Sequence, residues 1–256
     1  MSDTLSADDR GKLAAALAAV DLVADGMRLG LGTGSTAAWM VRALAARAKR
    51  ENLKLVCAAT SDRTAAQAIA LGLTVTDIDT AGPLDLTIDG ADEVDPAFRL
   101  IKGGGGAHLR EKIVAAASAR MVVITDPRKD VARLGAFPLP VEITPFGHAC
   151  TLGHIQAALR EADVAGRAAA LRMGAGAPLR TDEGNLIADL SLGSIGDPEA
   201  LDAALAAIPG VIETGLFIGL CDTVIVGHPD GRAVTRRPGH APETRQTDPA
   251  AAATLP

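Results

Sequence analysis

The sequence is poor in aromatic residues: it holds four Phe, one Trp and no Tyr among 256 residues. A protein that binds single-stranded nucleic acid stacks bases on aromatic side chains, and this chain has few to offer. Its net charge of −6 also opposes binding to a phosphate backbone. We therefore expect no nucleic-acid partner, and a core built from Ala, Val, Leu and Ile.

Cysteines are also few, and Cys57, Cys150 and Cys221 lie far apart with no C-x-x-C pair. That spacing indicates neither a zinc site nor a redox motif, and the odd count is typical of a reducing compartment. The first ten residues are acidic and polar, unlike a signal peptide, and no run of 18 uncharged apolar residues occurs. These absences predict a cytoplasmic protein without a membrane partner.

Short apolar segments alternate with helical patterns through the first half of the chain. Ser6 and Asp9 have the spacing of a helix-capping pair, and apolar residues then recur at helical spacing. Alternating strands and helices predict a parallel sheet covered on both faces, with the ligand outside the carboxyl ends of its strands. The predicted strands are residues 27–31, 53–58, 73–78, 84–88 and 121–125.

The pattern changes at Phe137-Pro138-Leu139-Pro140, where a compact α+β segment begins. We predict a main α/β domain from residues 1–136 and 212–235, with a smaller α+β domain from 137–211 inserted into it. Residues 236–256 show no apolar periodicity, so they are predicted to be a disordered tail whose removal changes stability little.

The first candidate functional loop is Gly30-Leu31-Gly32-Thr33-Gly34-Ser35-Thr36, which lies between a predicted strand and a predicted helix. It departs from the dinucleotide pattern G-x-G-x-x-G because Ser35 stands at the last glycine position. Free backbone N–H groups and the positive end of a helix dipole at such a junction suit a phosphate monoester. Taken alone, most loops of this kind are only tight turns with an ordinary N-cap.

The second loop follows the predicted strand at 84–88 and carries four carboxylates, Asp89, Asp92, Glu93 and Asp95. Asp89 comes directly after the predicted buried strand. Carboxylates held close together raise one another's pKa, which suits proton transfer. A magnesium site is a weaker alternative, because the spacing does not match an EF-hand loop. For Glu93 and Asp95 a solvated acidic turn is the favoured interpretation.

The third loop, Lys102-Gly103-Gly104-Gly105-Gly106, leads into a predicted helix that carries Glu111. Four glycines allow the backbone to pass close to a ligand. A carboxylate on that helix can act as a base while a lysine stabilises a developing oxyanion. A lone Glu on a helix is more often a surface residue. His108, on the same helix face, is left out of the predicted site.

Together the three loops resemble the ribose-5-phosphate isomerase A family. The matching motifs, in chain order, are Gly32-Thr33-Gly34-Ser35-Thr36-Ala37, Asp89-Gly90-Ala91-Asp92-Glu93 and Lys102-Gly103-Gly104-Gly105 with Glu111 nine residues after the lysine. Further matches are Phe137-Pro138-Leu139-Pro140-Val141-Glu142, Ile208-Pro209-Gly210-Val211 and Gly215-Leu216-Phe217. The resemblance spans about residues 5–234, and it departs from the family at the fourth glycine and the tail.

The resemblance implies a Rossmann-like three-layer αβα main domain, an inserted ferredoxin-like α+β domain, and a homodimer or homotetramer. It implies isomerisation of a sugar phosphate without a metal or cofactor, with Glu111 as the base and Asp89, Lys102 and Asp92 as further catalytic residues. The implied substrate-binding residues are Lys12, Thr33, Gly34, Ser35, Thr36, Asp89, Gly90, Ala91, Asp92, Lys102, Gly103, Gly104, Gly105 and Lys129.

Two other functions are compatible with this architecture. One is an amino-sugar phosphate deaminase, which shares the general fold. The other is a sugar-phosphate-sensing domain of a transcription regulator. Only one helix precedes the first strand, however, so no helix-turn-helix fits there. Fold alone does not separate these functions; Asp89, Lys102 and Glu111 favour the isomerase.

Overall fold

The computed structural model describes residues 5–248 and residue 255. It divides into two compact units. The parallel-sheet unit comprises Met1–Gly90, Arg110–Asp130 and Leu220–Pro256, and the antiparallel unit comprises Ala91–Leu109 and Val131–Gly219. Within the described ranges, no helix combines the length and the hydropathy needed to cross a membrane.

The parallel-sheet unit is built on a seven-stranded sheet in the order β14-β13-β12-β6-β3-β1-β2, in which the five strands from β12 to β2 are parallel. Its strands are β1 (Arg28–Leu31), β2 (Val56–Ala59), β3 (Leu86–Gly90), β6 (Met121–Thr125), β12 (Thr223–Gly227), β13 (Arg232–Arg236) and β14 (Glu243–Gln246). Its helices are α1 (Ala7–Val20), α2 (Ser35–Glu51), α3 (Asp62–Ala70), α4 (Ile78–Ala81) and α5 (His108–Ala116, of which the first two residues belong to the antiparallel unit), followed later by a 3₁₀ helix at Pro127–Lys129.

Helices cover both faces of this sheet. Cys57 and Ala58 are neighbours on β2, so their side chains point to opposite faces. Cys57 packs in the large cluster formed with α1 and α2, whereas Ala58 packs in a smaller cluster with Val114 of α5. The predicted three-layer α/β arrangement is therefore confirmed.

Local capping explains where two helices begin. Ser6 accepts a hydrogen bond from the Asp9 N–H and starts α1, as the spacing predicts. The predicted strand at 73–78 is wrong, because only Val75 makes a bridge to the sheet. Asp77 instead accepts the Asp79 N–H and begins the short helix α4.

The antiparallel unit contains two antiparallel sheets. The larger has the order β10-β7-β9-β8 and follows the β-α-β-β-α-β connection of ferredoxin-like folds. Its elements are β7 (Leu139–Ile143), α6 (His148–Glu161), β8 (Ala168–Leu171), β9 (Leu186–Ser191), α7 (Pro198–Ala206) and β10 (Val211–Thr214). The smaller sheet has the order β11-β5-β4, from β4 (Glu93–Val94), β5 (Leu100–Ile101) and β11 (Leu216–Phe217).

The units are divided at different residues from the predicted domains. The prediction assigns residues 91–109 and 212–219 to the main domain. In the structure these two segments meet in the small sheet, where β4 and β11 both pair with β5. Pairing between segments over 100 residues apart leaves no signal in local periodicity.

The prediction of a disordered tail from 236–256 is wrong for residues 236–248. Strand β14 pairs with β13 in antiparallel register, from Arg232↔Gln246 to Thr235↔Glu243. The buried Thr247 hydroxyl donates to Gly231 O at 2.6 Å. Residues 249–254 and 256, which also belong to the predicted tail, lie outside the described residues.

We expect deletion of residues 237–256 to lower the free energy of unfolding by about 1–3 kcal/mol. The deletion removes four cross-strand pairs, each worth roughly 0.2–1 kcal/mol. Denaturant unfolding measures this loss, and turnover should not change. The single substitution Thr247→Val removes only the hydrogen bond to Gly231 O and should lower the free energy of unfolding by about 1 kcal/mol. An unchanged unfolding midpoint in both variants would show that β14 adds no stability.

Candidate active site

Three loops of the parallel-sheet unit lie along one edge of its sheet. Strands β1, β3 and β6 are parallel neighbours, and they end at Leu31, Gly90 and Thr125. Residues 32–36, the Asp89-Gly90 pair and residues 126–129 therefore meet at the carboxyl edge, where ligands bind in open parallel sheets. The prediction that the loop after Leu31 and Asp89 lie at the carboxyl ends of their strands is confirmed, although Asp89 and Gly90 are the last residues of β3 and do not follow it.

Asp89 holds the first loop in place. This carboxylate is fully buried, and its Oδ1 accepts the N–H groups of Thr33 at 3.0 Å and Gly90 at 2.7 Å. A Cβ atom at Gly32 would lie 2.0 Å from the same oxygen, so glycine is required there. Asp89 and the Gly32-Thr33 backbone are thus brought together, as the predicted site requires.

A cluster of hydroxyl groups supports the same loop, and sequence reasoning did not assign it to the site. The Thr33 hydroxyl lies 2.7 Å from the Thr60 hydroxyl and 2.8 Å from that of Ser61. Thr64 Oγ1 donates to Gly32 O at 3.1 Å. The N–H and the hydroxyl of Thr33 therefore both form hydrogen bonds within the protein, and these hydrogen bonds hold the loop in its conformation.

The end of the first loop offers donors to an anion. Gly34 is the N-cap of α2, no side chain caps this helix, and Ser35 and Thr36 form its first turn. The first N–H groups of a helix have no intrahelical acceptor and carry the positive end of the helix dipole. Ser35 is exposed and adds a hydroxyl group. This terminus can bind a phosphate group.

The remaining predicted residues of this unit lie on three helical segments. Glu111 is in the first turn of α5 and is only 4% exposed, so it is not the solvated surface residue that a lone helical Glu usually is. Lys12 lies on α1, with its Nζ 3.9 Å from Asp9 Oδ1. Lys129 ends the 3₁₀ helix that follows β6.

The antiparallel unit carries the other predicted residues on the glycine loop (residues 102–106) and beside it. Asp92 Oδ2 accepts the Gly104 N–H at 2.7 Å, so these two residues are brought together. Lys102 is 2% exposed, with its Nζ 5.3 Å from the centroid of the Phe217 ring. Gly104 and Gly105 are exposed, so a ligand can reach their backbone. Ala91, just before Asp92, is buried.

His108, which the sequence interpretation left out, is fully buried beneath this loop. A Cβ atom at Gly103 would lie 2.7 Å from its Nδ1. Its Nε2 lies 4.0 Å from Oε2 of Glu142, a carboxylate that also accepts hydrogen bonds from Thr181 and Asn185. Burial raises the pKa of Glu142. The only sequence signal for the His108–Glu142 pair is the position of His108 close to the glycines of the loop.

The solvated interpretation of Glu93 and Asp95 is wrong, because both carboxylates are buried. Glu93 accepts the N–H groups of Gly135 and Phe137, each at 2.6 Å. Asp95 binds the guanidinium and the N–H of Arg99. Both residues thus organise the antiparallel unit. Among the described residues, no group of three His, Cys, Asp or Glu side chains could hold a metal ion.

Comparison with known proteins gives consistent results. Residues 56–231 match the family described as ribose 5-phosphate isomerase A (phosphoriboisomerase A). The ribose-5-phosphate isomerase A of Cereibacter sphaeroides is 59% identical over 236 residues, which cover 92% of this chain and 90% of that protein. The corresponding protein of Ruegeria pomeroyi is 56% identical, with the same coverage of both chains.

Solved structures are similar in fold as well. A ribose 5-phosphate isomerase from Plasmodium falciparum matches with a TM-score of 0.84 and 32% identity, over 91% of this chain and 100% of that one. A D-ribose-5-phosphate isomerase in complex with phospho-erythronic acid matches with a TM-score of 0.81 and 33% identity, over 94% and 99% of the two chains.

Proposed function

Because this chain belongs to the ribose-5-phosphate isomerase A family, we propose that it interconverts D-ribose 5-phosphate and D-ribulose 5-phosphate. The observation that supports this most strongly is the set of three loops with their predicted residues intact. Glu111 and Lys102, both from the third motif, are buried groups suited to proton transfer and oxyanion stabilisation. The reaction belongs to the non-oxidative pentose phosphate pathway.

Glu111 is assigned as the base. An aldose and its ketose differ by one proton moved between C1 and C2, and by the protonation of O1 and O2. Glu111 removes the C2 proton of the open-chain sugar, giving an enediolate, and returns a proton to C1. A positioned general base contributes about 10²–10⁴-fold in rate.

Lys102 is assigned to the enediolate oxygen. Negative charge develops on that oxygen when the C2 proton leaves, and a buried ammonium group stabilises it far better than an exposed one. The Gly105 N–H, in an exposed part of the glycine loop, is assigned as a further donor for the same oxygen. A relative solved in complex with phospho-erythronic acid supports a phosphorylated sugar as the substrate class.

Asp89 and Asp92 are assigned to opening of the furanose ring and transfer of the hydroxyl proton. Asp89 is fixed by the two N–H groups that it accepts, and Asp92 by the N–H of Gly104. Carboxylates held this firmly can exchange a proton with a sugar hydroxyl in a defined geometry. The substrate phosphate is assigned to the start of α2, with Lys12 and Lys129 as further cations.

A coupled assay tests the proposed activity against its nearest rival. The purified chain should form ribulose 5-phosphate from ribose 5-phosphate, and it should release no ammonia from glucosamine 6-phosphate. The opposite pattern would identify an amino-sugar phosphate deaminase. A chain that binds ribose 5-phosphate but converts neither sugar would support the sensing domain.

We expect activity to survive exhaustive treatment with EDTA. Asp and Glu side chains in one loop without His or Cys partners make a poor transition-metal site. Initial rates before and after chelation provide the measurement. Loss of activity and its rescue by one divalent cation would instead make Asp89 and Asp92 metal ligands.

We also infer that the enzyme acts in the cytoplasm as a homodimer or homotetramer. Cysteine usage supports the compartment, and the family resemblance supports the assembly. Analytical ultracentrifugation distinguishes the two assemblies, and a monomer would contradict both.

A further inference from the structure

One arginine holds the backbone of the glycine loop. Arg172 Nη1 donates to Gly103 O at 2.8 Å and to Gly104 O at 3.1 Å. A run of glycines has little preference of its own for one conformation, and ordering it carries a large entropic cost. External contacts must therefore select the conformation of this loop, and Arg172 makes two of them.

Arg172 is itself held rigidly. It follows β8 directly, and its N–H donates to Ile187 O at 2.8 Å. Its Nε and Nη2 donate to the two carboxylate oxygens of Asp189, on β9, at 2.9 and 2.5 Å. The Arg172 side chain is only 15% exposed. Fork-like pairing fixes the plane of the guanidinium group, which a single charge contact would not do.

The contacts of Arg172 orient two peptide planes. In a trans peptide the C=O and the following N–H point in opposite directions. Holding Gly103 O therefore turns the Gly104 N–H away from Arg172, and Asp92 accepts it on that other side at 2.7 Å. By the same geometry, holding Gly104 O turns the Gly105 N–H away from Arg172, in an exposed part of the loop.

We propose that Arg172 is a positioning residue for the isomerisation, acting through the glycine loop on the Gly105 N–H and on Lys102. Asp189 sets the position of Arg172. The inference rests on the proposed role of Lys102 as the group that stabilises the enediolate oxygen. Misplacing the Lys102 ammonium group weakens binding of the transition state, but the contacts to the substrate phosphate stay intact. The loss therefore appears in kcat rather than in KM.

The test begins with Arg172→Ala in the full chain. We expect kcat to fall about 10–10²-fold, the cost of a displacement of roughly 1 Å at a catalytic centre. The KM for ribose 5-phosphate should stay within about threefold, because the phosphate contacts remain. Guanidinium ion at millimolar concentration should restore part of the lost kcat. Arg172→Lys should be intermediate, since lysine keeps the charge but not the fork.

Arg167→Ala is the matched control. Arg167 also donates to backbone carbonyls in the antiparallel unit, at Leu159 and Ala162, but those carbonyls belong to the end of α6. We expect its kcat to stay close to wild type with no effect of guanidinium. An equal loss of kcat in both arginine variants would overturn the proposal, because the effect would then be general to the unit.

A double-mutant cycle separates positioning from stability. If Arg172 acts through the loop, Arg172→Ala should cost little further activity in a Lys102→Ala background, since coupled residues are non-additive. Fully additive losses would overturn the proposal, as would wild-type kcat in Arg172→Ala.

If Arg172→Ala does not fold, the variants Arg172→Lys and Asp189→Asn provide the test. Wild-type kcat in both of them would overturn the proposal. Absence of isomerase activity in the wild-type protein would be a failure of the proposed function instead.

Discussion

Glu111→Gln should lower kcat by at least about 10²-fold, and by up to roughly 10⁴-fold, with little change in KM. The amide keeps the size of the side chain and its ability to form hydrogen bonds, but it cannot accept the C2 proton. Because proton abstraction belongs to the transition state, the loss appears in kcat and kcat/KM alike. Steady-state kinetics in the direction of ribulose 5-phosphate formation measure it.

Glu51→Gln is the control for this change. It makes the same chemical substitution on a helix of the same unit, where Glu51 pairs with Arg47 and Arg50 on the surface. We expect wild-type kinetics from this control. If Glu111→Gln kept most of its kcat, Glu111 would not be the base.

Unphosphorylated ribose should be a very poor substrate, with kcat/KM about 10³-fold or more below that of ribose 5-phosphate. Three hydrogen bonds to a charged phosphate, at about 1.5 kcal/mol each, correspond to that factor. The start of α2 supplies such donors at some distance from the reacting carbons. Binding energy from a remote group can act at the reacting centre, so kcat falls together with the apparent affinity.

The Ser35→Ala, Thr36→Val double variant tests where the phosphate binds. We expect it to lose much of the discrimination between the two sugars, and inorganic phosphate to inhibit it less than the wild type. Ser6→Ala removes a hydroxyl from another helix start in the same unit and should cost about 1 kcal/mol of stability without changing discrimination. If the double variant discriminates as before, Lys129 with the glycines after Lys102 becomes the next candidate phosphate site.

Local sequence signals predicted the parallel sheet and the positions of its loops, because capping residues and apolar periodicity act over a few residues. Ser6 and the loop at residues 32–36 are examples that the structure confirms. Strand β14 escaped prediction because its four side chains are all exposed, so no buried residue alternates with an exposed one along it. Periodicity carries no trace of such a strand.

The supporting contacts of the candidate site could not be predicted from local patterns. Asp89 meets the Thr33 N–H across 56 positions, and Arg172 meets the Gly103 carbonyl across 69. Glu93 looked solvated because its donor, the Gly135 N–H, comes from 42 residues further on. Residue types can suggest which groups react, but the partners that orient those groups are assembled only by tertiary structure.

The most direct test of the central claim is the reaction of ribose 5-phosphate with the purified chain in D₂O containing EDTA, followed by NMR. Proton transfer through an enediolate on a carboxylate base predicts ribulose 5-phosphate that carries solvent deuterium at C1, and it predicts that Glu111→Gln forms this labelled ketose at least about 10²-fold more slowly. Ketose formed without any deuterium at C1, or no ketose from the wild-type protein, would contradict the account.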